Sequence, residues 1–140
     1  MWVVDASVAL KWFVEESGSD RARRLKASPE EIAAPDLVIA EVCNAAWRLV
    51  TAGSLPVGQY ELIAEGIGNL FDGLWPLGVL APRAAAMARE LRHPIYDCFY
   101  VALADMLGTA RVVTADSRFL TRVAASPWRD RVVHLDALPA

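Results

Sequence analysis

A chain of 140 residues and 15.3 kDa has the size of one domain, able to bury about 68% of its unfolded surface in a single core and short for two. Its 55% hydrophobic and 22% charged residues, with no long polar or low-complexity tract, exclude a disordered chain. A formal net charge of −3 does not advertise a nucleic-acid binder, so that class rests on local basic groups: Arg21, Arg23, Arg24 and Lys26 in one, Arg118, Arg122, Arg129 and Arg131 in another. Either group also reads as a solvated helix face.

Asp5 and Lys11 interrupt the apolar start and no charged leader precedes it, so no signal peptide is expected. No run approaches the length of a membrane-spanning helix. Cys43 and Cys98 each fall inside a helical pattern, which suggests neither a disulfide framework nor a zinc site. The expectation is a reduced, cytoplasmic protein, with residues 1–140 forming a single domain.

Trp2-Val3-Val4 is a short run of strand formers, followed after Asp5-Ala6-Ser7 by a helical stretch over Val8–Val14. Ser19–Ala27 predicts a second short helix, and Ile32–Ala34 a strand that Pro35 closes. A long helical pattern covers Leu37 to about Ala52, stopped by Gly53. Pro56 to about Phe71 predicts another helix. Leu74–Val79 predicts a strand, interrupted by Pro76. Pro82 at a helix start introduces Arg83–Arg92. A strongly apolar helix is expected from about Ile95 to Leu107, ended by Gly108. Arg111–Thr114 is a strand, Ser117–Ala125 a helix and Val132–Leu135 a last strand. Strands alternating with helices predict an α/β fold, a parallel sheet covered on both faces, with no internal boundary.

Ligands of an open parallel sheet collect outside the carboxyl ends of its strands. Asp5 follows the first strand directly and Asp116 follows Val112-Val113-Thr114 by two residues, so both carboxylates belong to that edge. Asp97 stands in the first turn of its helix and Glu41 in the second turn of another, at ends that could face the same edge. Asp5, Asp97 and Asp116 read equally well as caps of helix N-termini. Glu41 does not, because it lies inside a helix beside the apolar stripe of Leu37, Val38 and Ala45, where an unpaired charge is costly. Gathered carboxylates repel one another, and a bound Mg²⁺, or Mn²⁺ in its place, reverses that cost. Such an all-oxygen site suits phosphodiester hydrolysis, in which the ion activates water and offsets charge on the phosphate. Asp105 lies about 12 Å along the helix from Asp97, too far to share an ion. Asp36 reads as an N-cap, and His93 and His134 as structural histidines without a paired partner.

Four segments in order, DASVALKW, APDLVIAEVCNAAW, HPIYDCFYVALADMLG and VVTADSRF, resemble the PIN domains of VapC type, the toxins of bacterial toxin–antitoxin pairs. The resemblance runs from near the start to beyond residue 119. It implies a three-layer α/β/α fold with a central parallel sheet and a Mg²⁺- or Mn²⁺-dependent endoribonuclease. Its acidic metal ligands fall on Asp5, Glu41, Asp97 and Asp116; Thr114 matches the hydroxyl that supports the last acid and Ser7 the one after the first. For both hydroxyls, turn or cap hydrogen bonding is an equal alternative. Cys98 and Phe99 stand where smaller or aliphatic residues are expected, and concern packing. The resemblance further implies an RNA substrate, a homodimer and a VapB-like antitoxin laid across a groove near the acids.

Other classes fare worse. A response-regulator-like domain needs adjacent acids after the first strand and a lysine after a late one, and the only lysines are Lys11 and Lys26. A dinucleotide-binding enzyme needs a glycine-rich first turn, and Asp5-Ala6-Ser7 has none. A catalytically silent PIN-like module that binds RNA or protein remains the alternative. The apolar residues Val8, Leu10, Trp12, Phe13 and Val14 of the first helix, with Trp47 and Leu49, are expected to exceed what one small core absorbs, consistent with a covering partner.

Overall fold

The computed structural model describes residues 1–139. Five strands, β1 (Trp2–Val4), β2 (Ile32–Pro35), β3 (Gly73–Trp75), β4 (Arg111–Thr114) and β5 (Val132–His134), form one sheet in the order β3-β2-β1-β4-β5. Every neighbouring pair is parallel; Val3 stands opposite Ala33 on one side and Val112 on the other. The inner strands are apolar without alternation because both faces of the sheet are covered: Val3, Val4, Ala34, Val112 and Val113 are fully buried.

Seven α-helices cover the sheet: α1 (Ala6–Ala9), α2 (Ser19–Ala27), α3 (Leu37–Thr51), α4 (Val57–Gly66), α5 (Leu77–Leu91), α6 (Ile95–Leu107) and α7 (Ser117–Ala124). From β1 the chain steps outwards to β2 and β3, then crosses back to β4 and β5. Right-handed crossovers therefore place α1–α4 on one face and α5–α7 on the other. The packing agrees, with α1 against α3, α3 against α4, and α5 against α6. Helix α6 packs on β1, β2 and β4 as well as on α5, and its whole stretch Cys98–Ala104 is buried. A helix so enclosed must be apolar all round, as this sequence is. The expected α/β/α layering and parallel sheet are what the chain adopts.

Several element ends differ from expectation. The first helix starts at Ala6, two residues before Val8, because the Asp5 carboxylate caps the Val8 amide, and it tightens into a 3-10 turn over Leu10–Trp12. Trp12 donates its indole N–H to the Ala22 carbonyl across 3.0 Å and packs on Phe71, tertiary contacts that periodicity cannot encode. Helix α4 gives way at Gly66 to a 3-10 turn over Ile67–Leu70. The apolar run expected as a strand over Leu74–Val79 divides at Pro76: β3 ends at Trp75 and α5 begins at Leu77. Pro82 thus lies inside α5, not at its start. It is tolerated because the carbonyl it cannot bond belongs to Gly78, and both residues are exposed to water. The last strand ends at His134, with Leu135 opening a 3-10 turn. Asp36 takes the N-cap position of α3 but makes no side-chain capping bond.

The apolar residues of the first helix are drawn into the core in full or in part. Val8 is fully buried, and Leu10, Trp12, Phe13 and Val14 pack against the core. What remains outside sits on other helices: Trp47 is 46% exposed, Val57 55% and Leu62 68%. Among the described residues no helix is long and apolar enough to cross a membrane.

Candidate active site

β1 and β4 are neighbours at the middle of the sheet, and the chain leaves their carboxyl ends for opposite edges. A crevice opens where connections diverge in this way. Asp5 lies directly beyond β1 and Asp116 two residues beyond β4; Glu41 enters from α3 and Asp97 from the first turn of α6. The four carboxylates line one cleft of about 350 Å³, together with Ser7, Asn44, Arg48 and Tyr100.

Asp5 is the innermost, 5% exposed. Its Oδ1 accepts the Ser7 hydroxyl at 2.6 Å and the Val8 amide at 3.2 Å. Ser7 Oγ in turn accepts the Ala115 amide at 2.9 Å, which joins the turn after β1 to the turn after β4. Thr114, fully buried, accepts the Asp116 amide at 3.0 Å. Asp116 Oδ1 accepts the Arg118 and Phe119 amides and so caps α7. Capping and cleft-lining are therefore not alternatives for Asp5 and Asp116, since each does both. Asp97 makes no capping bond. Its Oδ2 lies 2.6 Å from His93 Nε2. The expectation that His93 lacks a partner is corrected here, because one turn of backbone separates it from Asp97 and brings the ring over that carboxylate. The His93 ring also packs on Phe119, centroids 5.2 Å apart. Glu41 Oε1 accepts the hydroxyl of Tyr100 at 2.6 Å.

Burial dominates the electrostatics. It pushes the Asp5 carboxyl up to about 7, with Asp97 adding repulsion and the Ser7 and Thr114 hydroxyls and the Val8 amide opposing it. Burial also raises Glu41, against the Tyr100 hydrogen bond and with Asp97 repelling. Asp97 is raised by burial too, against His93 and with Asp116 repelling. Asp97 thus repels both Asp5 and Glu41 and is itself repelled by Asp116. None of the four pairs with a lysine or arginine among the described residues.

The donor set is all oxygen, and no lysine or arginine ion-pairs with it among the described residues although Arg48 lines the same cleft, which fits a hard divalent cation. It is not a closed cage. Among the described residues no three His, Cys, Asp or Glu side chains converge as a ready-made metal-binding group. Mg²⁺ does not require one, because it keeps several waters and takes one or two carboxylates directly. Asp105, set aside from the sequence, pairs instead with Arg83 at 3.2 Å and Arg131 at 3.9 Å.

Tyr100, Asn44 and Arg48 were not anticipated at the cleft. A signal existed. Tyr100 stands three residues after Asp97, and Asn44 and Arg48 stand three and seven after Glu41, all on the helix faces that carry the acids.

Comparison with known proteins shows the family. The PIN domain family profile matches residues 2–125. The chain is 30% identical over 125 residues to Ribonuclease VapC3 of Pyrobaculum aerophilum, covering 88% of this chain and 95% of that one. It is 34% identical over 96 residues to Ribonuclease VapC1 of Mycobacterium tuberculosis, covering 67% of this chain and 66% of the other. Among solved structures, a toxin-antitoxin complex from Klebsiella pneumoniae superposes with a TM-score of 0.69 at 18% identity, over 96% of this chain and 98% of that one, which is a likeness of fold. By profile, sequence and fold, the chain belongs to the PIN domain family, on its VapC branch.

Proposed function

We propose that this protein is a Mg²⁺-dependent endoribonuclease, with Mn²⁺ an effective substitute, that acts as the toxin of a VapBC-type pair in the cytoplasm. The observation that carries the reading is the cleft itself: four carboxylates, Asp5, Glu41, Asp97 and Asp116, at the divergence of β1 and β4, uncompensated by any lysine or arginine pair among the described residues. The family and the ribonuclease names of its relatives point the same way.

When bound, the divalent cation supplies a more acidic water and offsets charge on the phosphate and the leaving oxygen. The chain's own groups do the rest. Ser7 and Val8 hold Oδ1 of the buried Asp5. Tyr100 takes one oxygen of Glu41 and His93 one oxygen of Asp97, so each carboxylate is held at one oxygen and keeps a second for a ligand. Thr114 fixes the backbone of Asp116, and Asp116 is further set by the α7 amides it caps. The acids are thereby presented from a rigid frame, and deprotonation of the raised carboxyls accompanies cation binding.

Cleavage of a defined RNA should require Mg²⁺ or Mn²⁺ and stop in excess EDTA. Asp5→Asn, Glu41→Gln and Asp97→Asn should each lower it at least about a hundredfold with circular dichroism unchanged. Full cleavage in EDTA sinks the metal mechanism. RNA binding without cleavage under any divalent ion favours a silent binding module. The proposed assembly is a homodimer neutralised by a VapB-like antitoxin. Light scattering should give twice the 15.3 kDa chain mass, and expression without the adjacent gene should arrest growth. A harmless monomer counts against both.

A further inference from the structure

A cleft lined by four carboxylates repels a polyanion, and the chain as a whole carries −3, so RNA binding needs cations concentrated where the strand must pass. Several basic side chains are already committed. Arg23 pairs with Glu15 and Asp20, and Arg83 and Arg131 with Asp105; Arg21 and Arg111 are tied to backbone carbonyls. Arg48, Arg118 and Arg122 ion-pair with no carboxylate among the described residues. All three are exposed, Arg48 on α3 over one face of the sheet and Arg118 and Arg122 on α7 over the other. Arg48 lines the acid cleft itself, from α3. Arg118 and Arg122 line an open concavity with Ser117 and Thr121 on α7, the helix that Asp116 caps.

We propose that Arg48 on one side and Arg118 with Arg122 on the other form a phosphate track that draws a single strand of RNA across the acid cleft. The inference rests on the ribonuclease reading and names which residues hold the substrate. Arg118 and Arg122 share one helix face about 6 Å apart along the axis, a separation comparable with that of successive phosphates on an extended strand. A cleft of about 350 Å³ has room for about a nucleotide, which suits a single strand whose backbone can bend into it. Arg guanidinium groups also suit phosphate oxygens, which they engage in pairs.

The test is fluorescence anisotropy of a labelled single-stranded RNA with the metal-free protein in EDTA, as a function of salt. Steady-state cleavage in Mg²⁺ accompanies it. Arg48→Ala and the pair Arg118→Ala/Arg122→Ala should weaken binding about fivefold for each arginine removed. The slope of log affinity against log salt should fall by about 0.7 for each. KM should rise while kcat at saturating RNA stays within about twofold. Arg24→Ala, on α2 near Trp2 at the opposite end of the strands, is the control and should change nothing. Wild-type affinity and slope in the triple variant, or an equal loss in Arg24→Ala, overturns the track while leaving the ribonuclease reading intact. A wild-type protein that neither binds nor cleaves RNA overturns both.

Discussion

Tyr100 of α6 donates its hydroxyl to Glu41 of α3 across 2.6 Å, the shortest link between the two faces of the sheet at the acid cleft. Tyr100 is 1% exposed, so its hydroxyl has no water to fall back on, and the raised pKa that burial and Glu41 give it keeps it a donor. Tyr100→Phe removes the donor and leaves a half-buried carboxylate with one bond fewer. The expected result is a loss of about 1–2 kcal/mol in stability and about tenfold weaker Mn²⁺ binding by calorimetry. Unchanged Mn²⁺ affinity would mean that Tyr100 serves packing alone.

Asp5 makes stability depend on pH in a stated direction. Its folded-state pKa of about 7 lies above the ordinary 3.8, so between these values the folded protein holds a proton that the unfolded chain has lost. Stability of the metal-free protein therefore falls as pH rises through that window, and the penalty is complete above about 7. Asp5→Asn keeps a capping oxygen for Val8 and removes the titration. Urea unfolding in EDTA should find Asp5→Asn more stable than wild type at pH 8. The gap should shrink by roughly 3 kcal/mol at most on going to pH 4.5. A gap independent of pH removes Asp5 as its source.

The parts of this site that were legible in the sequence are those tied to strand ends. Asp5 and Asp116 stand at fixed offsets from short apolar strands, so the edge they occupy follows from a parallel sheet alone. Glu41 was visible as a charge out of place in an apolar stripe. Tyr100, His93 and Arg48 were not picked out because each has a bland local explanation, as core aromatic, loop histidine and solvated arginine. Their roles depend on which helices meet over the sheet. The same holds for the fold. Leu74–Val79 is apolar enough to be either strand or helix, and the division at Pro76 is set by where β3 pairs with β2. Trp12 was misread as surplus surface because its partners, Ala22 and Phe71, are distant in sequence.

Asp105 serves as an internal control for the acid cluster. It shares α6 with Asp97 but is held by Arg83 and Arg131, away from the cleft lining. Asp105→Asn should leave Mg²⁺-dependent cleavage within about twofold of wild type and cost less than about 1 kcal/mol, the usual worth of a partly exposed ion pair. Loss of cleavage comparable to that of Asp97→Asn would place the site further along α6 than the cleft indicates.

His93 invites a choice between two roles, general base and support for Asp97, and the geometry favours the second. Its Nε2 is engaged by Asp97 Oδ2 at 2.6 Å, its ring is 13% exposed and packed on Phe119, and His93 is not among the residues that line the cleft. A support residue acts through what it holds. His93→Ala should therefore weaken Mn²⁺ binding about tenfold, as loss of a partner to a ligand does, and cleavage should recover to within about threefold of wild type when Mn²⁺ is raised to saturation. A general base would behave differently, because no concentration of metal replaces a missing proton acceptor, and its loss typically costs about a hundredfold or more in kcat. Cleavage by His93→Ala measured across a Mn²⁺ titration separates the two, and a rate that stays down about a hundredfold at saturation would make His93 the base.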